Sequence, residues 1–387
     1  MDMLTVDQLM RGAVRQSSSN CEHSAQGKRV RNSSIELLRV IAMLMILLHH
    51  FVVHNAFDVS RMPVSLPKFI FYMLFASGGK IAVVIFFSIS AWFLLDGDWS
   101  IRACWKRVWL LERELIFWSV TLLVFTFCLN INDFGIKLIL RSFLPISSGL
   151  WWYATSYALF LLFMPFLTAG LRALKRNVHL LLCCTLILIY GILGLVPGIH
   201  YSFGDISVAG VFGFIYLYIL ICAHKWYLPD LFINNPVFLI IIGAVPILIN
   251  AVVCVIVPSF GVNGQIYFAD NWRLPVILVG YGLFHLFNGL LFRSKLIDNL
   301  AKSAFAVYLI TDYPAMRSLL WTKLFSIDKV YARPIDLITI LLLLLGIYTV
   351  CTLLDLARQK LFSISVNRNN ERLFNSIFDY MLRRFEV

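Results

Sequence analysis

Residues 34–51 read SIELLRVIAMLMILLHHF, a stretch apolar enough to cross a membrane yet carrying Glu36, Arg39, His49 and His50. Ionisable side chains are costly in hydrocarbon, so those kept there tend to be functional. Arg39 and His50 are eleven residues apart. Eleven helical steps of about 100° return to nearly the same face after three turns, which puts the two on one stripe roughly 16 Å apart along the axis. Glu36, three residues before Arg39, can pair with it. A guanidinium that is always charged suits phosphate groups. A neutral imidazole, with a reference pKa near 6.5, suits a general base. His49 points about 100° away from His50 and is expected to pack or to orient its neighbour. These residue types could supply a base at His50, a phosphate-binding cation at Arg39 and a carboxylate at Glu36 that holds it. The plainer reading is a snorkelling arginine at one membrane edge and interfacial histidines at the other.

A second polar patch lies far along the chain. Tyr308 and Asp312 are four residues apart on one helical face, and an acid there is not expected to face lipid. Arg317 follows toward the edge of the same apolar stretch. Lys80, Ser90 and Trp152 complete the candidate substrate- and donor-binding set, with Tyr308, Asp312 and Arg317. Each has a bland counterpart: snorkelling for Lys80, interhelical hydrogen bonding for Ser88 and Ser90, and an aromatic belt for Trp151, Trp152 and Tyr153. Asn263, Asp270 and Arg273 fall in a loop where an acceptor could be met.

The elements that must position these residues are apolar helices. The chain of 387 residues is 60% hydrophobic and 14% charged, which excludes an ordinary soluble domain and indicates an all-α polytopic membrane protein. The apolar runs are about 20 residues long without alternation, against a barrel. About ten transmembrane helices are expected near 35–53, 78–95, 115–129, 151–169, 180–196, 206–223, 237–257, 274–292, 304–320 and 335–356. Residues 1–34 read as a disordered cytoplasmic tail with no cleavable signal pattern. Residues 357–387 alternate basic and apolar positions, as in an amphipathic helix on the inner membrane surface.

The net charge of +12 needs no nucleic-acid partner. With the N-terminus inside, 22 of the 33 Lys and Arg fall in cytoplasmic segments and nine in external ones, counting Lys80 at a span mouth. This predicts a multi-pass protein of the cell membrane with both termini cytoplasmic. The eight cysteines show no CxxC and no His-rich partner spacing, so neither a disulfide framework nor a metal site is expected. No P-loop or Rossmann fingerprint is present, and no bound cofactor is expected.

Four segments carry a resemblance. The first span has an acid before an arginine, ten intervening residues and a histidine. The second, GGKIAVVIFFSISAWFLLDG, is glycine-led and phenylalanine-rich, and Arg102, Lys106 and Arg107 follow it. The fourth is LWWYATSYALFLLFMPFL and the ninth SAFAVYLITDYPAMRSLLW. Together, over residues 35–356, they resemble the acyltransferase-3 family of integral-membrane O-acyltransferases. Ala91 replaces a family glycine, and Thr311 stands where many members carry histidine, with Asp312 beside it. The resemblance implies a ten-helix enzyme that takes an acyl group, acetyl above all, from cytoplasmic acetyl-CoA. The catalytic assignment of His50 as base, Arg39 for the phosphate-bearing donor and Glu36 to hold Arg39 rests also on this resemblance. It implies as acceptor a hydroxyl of a cell-surface or lipid-linked polysaccharide. Partners would then be acyl-CoA, the glycan and the bilayer. Two other functions stay open at this stage: a glycan transporter or exporter, and an inactive relative serving as an assembly partner.

Overall fold

The computed structural model describes residues 32–55, 62–72, 78–129, 135–195, 208–228, 235–257, 272–325, 336–365 and 370–385. Among them the secondary structure is helical, with no strand. Fifteen helices are numbered here: α1 Ser33–Val53, α2 Leu66–Tyr72, α3 Gly79–Leu94, α4 Ile101–Cys128, α5 Ile136–Phe143, α6 Trp152–Ala173, α7 Arg176–Leu186, α8 Val208–Tyr227, α9 Pro236–Ile256, α10 Leu274–Asn288, α11 Lys295–Lys302, α12 Ala304–Asp312, α13 Pro314–Arg317, α14 Asp336–Ile364 and α15 Asn370–Phe385.

Five of these helices hold stretches long and apolar enough to cross a membrane: α1, α6, α8, α9 and α14. Shorter apolar helices (α3, α7 with its extension to Ile192, and α10) add to them, and the chain is an all-α polytopic membrane protein. Each expected span meets a helix, though not always with the expected bounds. α4 begins at Ile101, not near 115, because Ser100 caps it by accepting from the Ala103 amide. α7 passes into a π-turn, Ile187–Ile192, and a 3-10 turn. α14 continues past Leu356 to Ile364. The ninth span is not one helix, as described below.

Burial sorts the helices into an inner and an outer set. α3 is buried over most of its length, from Gly79 through Ala91, and packs against α1, α8 and α10. α9 is only 33% buried in its apolar window, against 67% for α8. Its exposed Ile241, Ile242, Ile249 and Ile256 form a lipid-facing surface that a soluble protein would hide. α10 comes close to α3 because Gly280 lies over Val84, where a Cβ would stand 2.7 Å from the valine Cβ.

α1 is tied at both ends. At its start the Asn32 side chain accepts from the Ser34 amide. The Ser33 hydroxyl donates to Asp298 at 2.7 Å, and the Ser34 hydroxyl bonds the Phe287 carbonyl. At its far end the Asn55 amide donates to the Trp321 and Phe325 carbonyls, at 3.0 and 3.1 Å. α15 is amphipathic and lies on α4: Phe374 and Phe378 are buried against Trp109 and Trp105, and Arg102 pairs with Asp379. Leu373, Ile377 and Tyr380 of α15 stay exposed.

Candidate active site

Pro314 shapes the site. The residue before a proline is pushed out of the helical region. Tyr313 accordingly adopts φ −62°, ψ 133°, which ends α12 at Asp312 and restarts the chain as α13. Beyond Arg317 a π-turn, Ser318–Leu324, follows. On a continuous helix Arg317 would point about 140° away from Asp312. Across the break its Nε donates to Asp312 Oδ1 at 2.7 Å. The broken end is gripped on two sides. Trp151 Nε1 donates to the Leu309 carbonyl at 3.1 Å, and the Tyr313 hydroxyl shares a hydrogen bond with Ser142 at 2.9 Å.

The last turns of α1 meet this carboxylate. His50 Nδ1 lies 3.6 Å and His54 Nε2 3.5 Å from Asp312 Oδ1, both longer than an ordinary hydrogen bond but within ion-pair reach. The two imidazoles stand 4.9 Å apart, one helical turn from each other. Tyr308, one turn before Asp312, places its ring 6.3 Å from His50. Asp312 is 1% exposed, yet its Oδ2, His50 Nδ1 and the Tyr308 hydroxyl make no hydrogen bond of good geometry with the protein. Tyr308 interacts with Asp312, and buried polar atoms whose hydrogen bonding is incomplete are suited to a ligand. Lys80, at the start of α3, is within electrostatic reach of His50. His49 turns to the other side, and its ring lies over Gly79, where a Cβ would collide with it.

The other end of the polar stripe is held by Glu36 and Arg39. Arg39 Nη1 donates to both Glu36 oxygens, at 3.1 and 3.0 Å; Glu36 is buried and Arg39 about one-third exposed. Between the two ends runs a file of aromatic hydroxyls. Tyr157 hydrogen-bonds Ser90 and feels the charges of both Arg39 and Arg107. Tyr153 follows one turn away with rings 6.3 Å apart, and Tyr153 to Tyr308 is again 6.3 Å. The rings of Tyr157, Tyr153 and Tyr308 thus stand in a row between the Arg39 end and the His50–Asp312 end.

Of the residues singled out from sequence, His50, Tyr308, Asp312, Arg317 and Lys80 come together at one end. Glu36, Arg39 and Ser90 lie at the other end of the file. Trp152 stands apart, half-buried beside Gly210 and Tyr153. Its neighbours depart from the aromatic-belt expectation: Trp151 is fully buried and anchors α12. Arg273 is 8% exposed at the start of α10, so it is not offered to an external acceptor; Asn263 and Asp270 lie outside the described residues. The Thr311 hydroxyl is spent on the Val307 carbonyl of its own helix. The sequence reading did not name His54, Tyr153, Tyr157 or Arg107 as site residues. For His54 the available signal was its spacing of four from His50.

His50, His54 and Asp312 present ligand atoms within 4.8 Å of one another, a grouping that could hold a metal ion. Arg317 already occupies the shared oxygen and Lys80 adds a further positive charge nearby, so the surroundings disfavour a dication.

A family model described as an acyltransferase domain matches residues 32–356, and the chain belongs to this acyltransferase-3 family. No curated protein and no solved structure matches the chain.

Proposed function

We propose that this membrane acyltransferase moves an acyl group, acetyl above all, from acyl-CoA to a hydroxyl of a cell-surface or lipid-linked polysaccharide, with His50 as the general base. The carrying observation is the meeting of His50 with Asp312 inside the bundle, 3.6 Å apart, on the helix that carries Arg39 three turns earlier.

In this reading the N-terminal end of α1 faces the cytoplasm, in keeping with the excess of Lys and Arg on that side. Arg39 and Arg107 meet donor phosphates, and Glu36 fixes the direction of Arg39. The extended thiol arm follows Tyr157 and Tyr153 toward His50. His50 takes the proton of the acceptor hydroxyl as the oxygen attacks the thioester carbonyl. The new C–O bond forms, the C–S bond breaks, and the proton passes from His50 to the departing thiolate, so no oxidant or cofactor is needed. Asp312 orients the imidazole and steadies its charged form, while Arg317 keeps the buried carboxylate neutralised. Lys80 and the Tyr308 hydroxyl, on the His50 side of the site, are assigned to the developing oxyanion. Ser90 positions Tyr157, and Trp152, apart from the other site residues, packs beside Tyr153. A buried site also keeps water from the thioester.

The test is the ester content of the host's surface glycan, read by NMR in wild type, a gene deletion and His50→Ala at matched membrane abundance. Loss of ester signals in both mutant strains is expected. Esters that vanish on deletion but persist in His50→Ala would remove His50 as base. An unchanged ester content with less exported glycan would overturn the acyltransfer reading in favour of transport.

A further inference from the structure

The mechanism above uses one imidazole, but two stand against Asp312. We infer that His54 is the acceptor-binding residue of the site, accepting a hydrogen bond from a glycan hydroxyl beside the one that His50 deprotonates. The inference rests on the acyl-transfer reading and adds to it a division of labour between two histidines.

His54 is not needed to balance charge. Arg317 donates to Asp312 Oδ1 at 2.7 Å, and one guanidinium neutralises one carboxylate. His50 already supplies the imidazole nearer the Arg39 end. His54 is therefore surplus to a base–carboxylate pair, and its position says what it can touch. It follows the last turn of α1, beyond His50 as seen from Arg39. Its side chain is 22% exposed, against 10% for His50. A donor arm entering from the Arg39 end reaches His50 first. A group entering from the opposite end meets His54 first.

His54 is also held in place. Its backbone amide donates to the His50 carbonyl at 3.0 Å, and the Asn55 amide donates to the Val52 carbonyl at 3.2 Å. The next residue, Asn55, is pinned to the Trp321 and Phe325 carbonyls in the π-turn that follows Arg317. The elements carrying His54 and Arg317 are thus fastened together across the carboxylate. One ring nitrogen of His54 faces Asp312 at 3.5 Å, which places the proton on that side, and the other nitrogen is then the hydrogen-bond acceptor for the neighbouring glycan hydroxyl.

The experiment uses the full-length protein reconstituted in lipid vesicles, radiolabelled acetyl-CoA as donor, and cell envelopes of the deletion strain as acceptor at varied amount. His54→Ala, His54→Gln and His50→Ala are compared with wild type, each checked for monodispersity. His54→Ala should raise the apparent KM for envelope acceptor about tenfold, with kcat within about threefold and the KM for acetyl-CoA unchanged. His54→Gln, which keeps a polar group at that place, should recover most of that loss. An acceptor KM unchanged in His54→Ala, or a fall in kcat with both KM values intact, overturns the inference while the acyl-transfer reading stands. Equal loss in the glutamine and alanine variants overturns it too. Absence of transfer by wild type, or full transfer by His50→Ala, would instead bring down the reading on which it rests.

Discussion

Two aspartates are buried in this bundle to almost the same degree, Asp312 at 1% and Asp355 at 0% exposure, and each accepts from an arginine. Around Asp355 everything is paired. Oδ1 accepts from Arg358 Nε at 2.6 Å and Oδ2 from Gln359 at 2.7 Å. Arg358 also reaches Glu114 on α4 at 3.0 Å, tying α14 to α4. Around Asp312 the pairing is looser: Oδ1 accepts from Arg317, Oδ2 makes no hydrogen bond of good geometry though Tyr308 is close enough to interact, and two imidazoles stand at 3.5 and 3.6 Å. The same residue type in the same degree of burial does structural work where its bonds are complete. Where they are left incomplete, it is suited to a ligand.

Mutation should separate the two. The largest effect is expected from Asp312→Asn, which keeps the shape and removes the charge. Transfer should fall by about 100-fold to 1,000-fold, while the melting temperature in detergent moves far less than in the Asp355 variant. A melting shift as large as that of Asp355→Ala, with activity per folded molecule intact, would erase the contrast. Next is Asp355→Ala, which leaves buried Arg358 with only Glu114 and should cost about 3 kcal/mol of stability. Melting followed by size-exclusion should show that loss, and turnover per folded molecule should stay near wild type. The smallest effect belongs to Arg317→Lys. An ammonium keeps the charge beside Asp312 without the fixed planar donor, so a loss of about tenfold in kcat is expected. Rates equal to wild type would show that charge alone suffices there.

The asymmetry between these clusters also marks what could be read from sequence. Hydropathy located the helices because the membrane demands length and apolar composition, and those are local properties. The α1 stripe was legible for the same reason, since Glu36, Arg39 and His50 share one helix. The meeting of His50 with Asp312 was not, because 262 residues separate them and only packing brings them together. Pro314 was in plain view, yet its effect of turning Arg317 back onto Asp312 depends on the neighbours that hold the broken end. His54 escaped because the expected span stopped at Val53, one residue short of it.

The fastening of α1 at both ends has a quantitative outcome. A helix tied to the 287–298 segment at one end and to the π-turn at the other cannot slide along its axis without breaking hydrogen bonds at both. The interval between Arg39 and His50, roughly 16 Å along the axis, is then a fixed ruler. On the proposed reading, the enzyme selects its donor by reach as well as by charge. A thioester on a truncated arm would be anchored at Arg39 and stop short of the imidazole, occupying the enzyme without acylating anything.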